Sequence, residues 1–237
     1  MKTIAIIIAG GVGNRMGANI PKQFIEIYEK PIIAYTLERF QANSKIDKIL
    51  IVCIHEWSQY VEQIVIKYNI RKTMAVIGGG ICGHDSIRNG VFFLKDKLKE
   101  DDYVLIHDSV RPIVPQKAID EVLCVAHNHG NASSSIICHP PIVYTEDNKS
   151  GFRDIPRDQV MLTASPQVYK YNKLLELYER AEFENRHNFT FTSSMYIYYG
   201  ERIYFAKGTT CNIKITTKSD LGLFKALLSI PEEEMFD

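Results

Sequence analysis

The chain has 237 residues, 46% of them hydrophobic and 24% charged, with 28 basic residues balancing 28 acidic ones. That apolar fraction excludes a disordered chain, and zero formal charge argues against a dedicated nucleic-acid binder. No apolar run approaches the roughly 18 residues of a membrane span. Five scattered cysteines with no C-x-x-C pair are neither a disulfide framework nor a zinc site, and they suit a reducing cytoplasm.

Taken from the start, Thr3–Ala9 and residues 48–54 are rich in Ile and Val without polar alternation, the pattern of strands covered on both faces. The first run is too short for a signal-peptide core and leads into a glycine-rich loop. Trp57, Val61, Ile64, Val65 and Tyr68 recur at helical spacing. So do Ile87, Val91, Leu94 and Leu98, after an Asp85-Ser86 pair that reads as a cap. Residues 74–77, 103–107 and 134–138 supply three more strands. This alternation predicts an α/β fold, a mostly parallel sheet with helices on both faces. Between about 139 and 164 the character changes. Pro140-Pro141-Ile142-Val143-Tyr144-Thr145, a polar turn at 146–151 and an apolar stretch at 160–163 predict a protruding hairpin arm. A helix at 171–183 and strands at 202–206 and 212–216 follow. Thr217-Lys218-Ser219-Asp220 then opens a last helix in capping-box style, and the acidic tail at 231–237 is expected to fray. With no internal repeat and no dividing linker, residues 1–237 read as one domain.

The strongest chemical signal is Ala9-Gly10-Gly11-Val12-Gly13-Asn14-Arg15-Met16-Gly17, directly after the first strand. Glycines at a strand's carboxyl end let backbone N–H groups approach phosphates closely. The dinucleotide fingerprint would need a third glycine where Met16 stands, which disfavours a nicotinamide-dependent dehydrogenase, and the Gly-Lys-Ser/Thr of a P-loop is absent. What remains is a phosphate loop with its own Arg15, followed by Pro21-Lys22-Gln23; two cations beside one glycine turn suit a polyphosphate. Asp108, in His107-Asp108-Ser109-Val110-Arg111-Pro112, ends a buried strand where open α/β sheets bind ligands. It can hold Mg²⁺ or a ribose hydroxyl, or simply cap a turn. His107 reads as a packed histidine. Gly78-Gly79-Gly80, leading through Ser86 into a helix, can present backbone groups to a base edge. Lys214 on the late 212–216 segment is by pattern either a ligand or a surface lysine.

Together these segments resemble the cytidylyltransferases that activate alditol phosphates, a family joining the 2-C-methyl-D-erythritol 4-phosphate enzymes of isoprenoid synthesis to the ribitol-5-phosphate enzymes of teichoic-acid and capsule synthesis. The resemblance covers nearly the whole chain. It implies a nucleotide-diphospho-sugar-transferase-like α/β sandwich whose arm, at about 139–164, exchanges across a homodimer. It implies CTP and a small polyol phosphate as substrates, with Mg²⁺. By the same resemblance Arg15 and Lys22 stabilise the transition state, and Ala9, Gly10, Gly11, Gly13, Gly79, Gly80 and Ser86 hold the nucleotide. Asp108 takes the metal or the ribose. Lys214, Arg157 and, across the dimer, Arg111 hold the acceptor phosphate. The chain departs from the family pattern in Pro140-Pro141 at the start of the arm, in Ala164-Ser165 before Pro166-Gln167, in Gly83 where an Arg is usual, and in Phe191-Thr192 after Thr190. His55-Glu56-Trp57 and Ile142 to Asn148 look more like the ribitol branch, so ribitol 5-phosphate is the expected acceptor and 2-C-methyl-D-erythritol 4-phosphate the alternative. The altered arm and Gly83 also motivate a rival of another class, a nucleotide-binding homologue that has lost transfer.

Overall fold

The computed structural model describes residues 1–11 and 20–236. In chain order its elements are β1 (Thr3–Ala9), β2 (Glu26–Ile27), β3 (Lys30–Pro31), α1 (Ile32–Ala42), β4 (Lys48–Cys53), α2 (Ser58–Lys67), β5 (Thr73–Gly78), α3 (Gly83–Phe93) and β6 (Tyr103–Asp108). Then come α4 (Gln116–His129), β7 (Asn131–Ile137), β8 (Ile142–Tyr144), β9 (Arg153–Ile155), β10 (Met161–Lys170), α5 (Tyr171–Phe183), α6 (Thr192–Tyr198), β11 (Phe205–Lys207) and α7 (Lys218–Leu227).

Seven strands form the main sheet in the order β11-β7-β10-β6-β1-β4-β5. The β1–β4, β1–β6, β4–β5 and β11–β7 pairs are parallel, and β10 runs antiparallel to both β6 and β7. Strand side chains alternate between faces, and in β1 both faces are buried. Ala5, Ile7 and Ala9 pack under α1, α2 and α4, while Ile4 and Ile6 pack with α3, α5 and α6. This two-sided burial is why the strand reads as a continuous apolar run. Because β4 and β6 lie on either side of β1, the winding reverses there, and a crevice opens beyond the carboxyl ends of the strands. The ladders align those ends: Ile8 pairs with Asp108, Ala9 with Cys53, and Cys53 with Gly78.

Several elements differ from expectation. The α3 helix starts at Gly83 with Cys82 as its N-cap, so Asp85 and Ser86 lie within the first turn and do not cap it; the Ser86 N–H already bonds the Cys82 carbonyl at 3.0 Å. The arm's return strand is β9, paired with β8. Residues 161–163 belong to the main sheet instead, Met161 pairing with Ile137. Residues 212–216 form no ladder; Asn212 and Ile213 make only local backbone bonds, to the Thr209 and Cys211 carbonyls, and the Ile215 N–H ties the segment to the Val110 carbonyl at 2.9 Å. The strand expected at 202–206 is the shorter β11. The acidic tail is docked: Met235 and Phe236 are buried, Glu232 accepts the Gln116 backbone N–H at 2.6 Å, and it pairs with Arg39. No helix among the described residues is long and apolar enough to cross a membrane.

Candidate active site

The crevice holds a cavity of about 490 Å³ lined by the ends of β1, β4, β5 and β6. Its lining brings together Gly10, Gly11 and Lys22 after β1, Gly79, Gly80 and Ser86 after β5, and Asp108 with Lys214. The glycines are needed for close approach. A first side-chain carbon on Gly10 or on Gly79 would stand 2.9 Å from the Ser86 hydroxyl oxygen, and one on Gly80 would stand 2.1 Å from Asp85 Cβ. Ser86 is buried, donates to the Cys82 carbonyl at 2.9 Å and accepts the Gly80 N–H at 3.1 Å, so its hydroxyl ties the Gly79-Gly80 loop to the start of α3. Lys22 sits on a short 3₁₀ turn, Lys22–Phe24. Its neighbour Gln23 is buried and donates from Nε2 to the Ala9 carbonyl at 2.7 Å, tying that turn to the end of β1. Gly13 and Arg15 lie outside the described residues.

Asp108 is the electrostatic centre. Lys214 Nζ donates to its Oδ1 at 3.0 Å and Arg111 Nε to its Oδ2 at 3.0 Å. Burial opposes ionisation of this carboxyl, but the Lys214 ammonium and the Arg111 guanidinium prevail and hold its pKa at about 2. Its backbone N–H donates to Ser165 Oγ at 3.1 Å. Ser165 is brought there by a register shift in the β7–β10 ladder between Ala164 and Gln167. Asn212 completes the frame, donating to the Ser165 carbonyl at 2.7 Å while its own carbonyl accepts Arg111 Nη1 at 2.7 Å. Neither Ser165 nor Asn212 is legible as a site residue in the sequence, because both act through distant backbone. His107 is fully buried against Phe40, its ring nitrogen Nε2 donating to the Arg111 carbonyl at 3.0 Å. It is a packed histidine whose pKa burial lowers to about 4.

A second cavity, of about 290 Å³, shares Ile8, Gly83, Asp108 and Lys214 with the first and is otherwise lined by Arg111, Thr163, Ser165, Gln167, Thr190 and Phe191, among others. Arg111 therefore reaches this site within its own chain, three residues after Asp108 on one turn, and needs no partner to do so. Arg157 does the opposite. It is exposed on the arm, bonds the His139 carbonyl at 3.0 Å and lines neither cavity. Among the described residues no three His, Cys, Asp or Glu side chains gather as a metal cage. Asp108 fits Mg²⁺ as a lone carboxylate, since that ion binds through one or two carboxylates plus substrate phosphates and water. Its Oδ1 keeps acceptor capacity beyond the Lys214 bond, whereas Oδ2 already accepts from Arg111 Nε and, at 3.4 Å, from Ser165 Oγ.

Residues 3–229 match the family described as "IspD: 2-C-methyl-D-erythritol 4-phosphate cytidylyltransferase". A ribitol-5-phosphate cytidylyltransferase of Lacticaseibacillus paracasei is 41% identical over 226 residues, covering 94% of this chain and 97% of the relative. A 2-C-methyl-D-erythritol 4-phosphate cytidylyltransferase of Clostridium botulinum is 34% identical over 229 residues, covering 96% and 97%. Among solved structures, the 2-C-methyl-D-erythritol 4-phosphate cytidylyltransferase of Francisella tularensis superimposes with a TM-score of 0.81 at 25% identity, covering 96% of this chain and 100% of that one.

Proposed function

Given that the chain belongs to the IspD family of cytidylyltransferases, we propose that it transfers CMP from CTP to ribitol 5-phosphate, with release of pyrophosphate. One observation carries the two-substrate reading: a glycine-walled cavity and a second one that holds Arg111 meet at Asp108 and Lys214. CTP occupies the first, with its phosphates toward Gly10, Gly11 and Lys22 and its base toward Gly79 and Gly80. The polyol phosphate occupies the second, beside Arg111 and Lys214. The ribitol assignment draws support from the 41% identical relative of that name. Pro140-Pro141, where the family usually has a polar pair, also removes hydrogen-bonding groups from the arm.

In the transfer, an oxygen of the acceptor phosphate attacks the α-phosphorus of CTP. A new P–O bond forms, the bond to the β-phosphate's bridging oxygen breaks, and pyrophosphate departs with that electron pair. A phosphate monoester has its second pKa at about 6, so the nucleophile is already ionised and no general base is required. Alignment and charge neutralisation then carry the rate. Lys22, with Arg15, meets the triphosphate, and Lys214 stands where both substrates can touch it. Asp108 orients Lys214 and Arg111 and offers its carboxylate to Mg²⁺, which when bound would neutralise charge on the phosphates. The arm, with its exposed Val143 and Phe152, is the surface through which two copies pair, and pairing would bring the partner subunit's Arg157 toward the acceptor.

The test is pyrophosphate release and product mass after mixing the protein with CTP, Mg²⁺ and each polyol phosphate separately. Ribitol 5-phosphate should give the higher kcat/KM. A clearly higher value with 2-C-methyl-D-erythritol 4-phosphate would reverse the acceptor, and CTP binding without turnover on any acceptor would favour a non-catalytic homologue.

A further inference from the structure

Lys22 is carried on a three-residue turn with no side-chain cap, closed by backbone bonds from Phe24 to Pro21 at 2.9 Å and from Ile25 to Lys22 at 3.3 Å. So short a turn does not fix a lysine by itself. Its neighbours in the turn help to hold it. Gln23 bonds the Ala9 carbonyl, and Phe24, 1% exposed, stacks its ring on Trp57 with centroids 4.7 Å apart and planes at 21°. Tyr60 closes the cluster edge-on to both rings, at 5.3 Å from Phe24 and 5.6 Å from Trp57.

Trp57 is itself anchored. It ends the 3₁₀ turn His55–Trp57 that follows β4, and its N–H bonds the Ile54 carbonyl at 3.0 Å. The same turn presents His55 and Glu56 to the nucleotide cavity. The two turns that flank this cavity are thus joined back to back by an aromatic stack that does not line it. Well-packed side chains resist small displacements, and a misplacement of about 1 Å can cost up to roughly a hundredfold in rate.

We propose that Trp57 is a positioning residue for the transfer reaction: by stacking on Phe24 it fixes the turn that aims Lys22 into the nucleotide cavity. This rests on Lys22 acting on the triphosphate. Trp57 touches no reacting atom, so its contribution passes through Lys22 and disappears when Lys22 is gone.

The experiment measures kcat and both KM values for Trp57→Ala, Trp57→Phe, Lys22→Ala and the Lys22→Ala/Trp57→Ala double variant, with melting curves to establish folding. Trp57→Ala should lower kcat about tenfold while the KM for the polyol phosphate stays nearly unchanged, and Trp57→Phe should recover most of that loss because a ring still meets Phe24. The double variant should be no slower than Lys22→Ala alone, the signature of two residues acting as one unit. Should Trp57→Ala not fold, Phe24→Leu, which removes the other ring, carries the same expectations. A normal kcat for the folded variant beside an impaired Lys22→Ala would overturn this inference alone, as would losses that multiply in the double variant. A normal kcat for Lys22→Ala would overturn the assigned role of Lys22 as well.

Discussion

At the end of β6, His107 and Asp108 point to opposite faces of the sheet, one into the packing around Phe40 and the other into the crevice. Burial lowers the pKa of the imidazole from 6.5 to about 4, and for Asp108 two cations outweigh burial to bring 3.8 down to about 2. Both shifts are downward, so both groups stabilise the fold at neutral pH. The His107 contribution is complete above about 6.5 and is lost as pH falls through about 4; the Asp108 contribution is complete above about 4 and is lost toward about 2. Denaturant unfolding at a series of pH values should show a loss on the order of 2–3 kcal/mol between pH 7 and 4. That loss should be smaller in His107→Asn, with His84 and His127, which burial also lowers, supplying part of the remainder; an unchanged pH slope in that variant would exclude His107 as a source. The cations proposed for the acceptor separate in the same residue-level terms. Arg111 lines only the second cavity, whereas Lys214 lines both. Arg111→Gln should therefore raise the KM for the polyol phosphate and leave that for CTP nearly unchanged, while Lys214→Ala should disturb both. Equal effects of the two substitutions on CTP would contradict this division.

Among the elements, α7 is opened by a reciprocal capping box, in which the Asp220 carboxylate receives the Thr217 N–H at 2.7 Å; the same carboxylate also receives the Thr216 N–H at 2.7 Å. Thr217→Ala should cost about 1 kcal/mol of stability, read as a lower denaturation midpoint with turnover retained. That box was legible because it is a local pattern, as were β1 and α5, whose residues each carry their own burial rule. The arm was not. The apolar residues at 160–163 resemble a hairpin partner for β8, yet they extend β10, and no local pattern tells which of two strands a segment will pair with. Residues 212–216 show the same limit: Ile213 and Ile215 alternate as in a strand, but alternation reports that Ile215 is buried, not that a ladder partner exists. The site divides similarly. Lys22 follows a glycine loop and Asp108 ends a strand, so both can be found by pattern; Lys214 comes only through the family resemblance, and Ser165 reaches Asp108 only through a register shift 57 residues away along the chain. The acidic composition of the tail predicts fraying, but Met235 and Phe236 within it supply the apolar area that docks it.

At the scale of the whole molecule, the arm leaves Val143 and Phe152 more than half exposed while holding Arg157 away from the chain's own cavities. Scattered apolar residues are ordinary on a surface, but these lie on one projecting element, which is why the proposed pairing is assigned to it. Val143→Asp with Phe152→Asp should shift sedimentation from dimer to monomer and raise the KM for the polyol phosphate; unchanged sedimentation would remove the arm from any interface. A last consequence comes from the ring cluster beneath Lys22. The indole of Trp57 is the only one in the chain, and it stands one turn behind the wall that a nucleotide would press on. The molecule thus carries a built-in optical gauge of its own occupancy. Adding CTP should change the intrinsic emission in a saturable way, polyol phosphate alone should not, and rapid mixing would follow nucleotide arrival separately from the chemistry it precedes. Emission that ignores CTP while calorimetry records its binding would show that the two turns move independently.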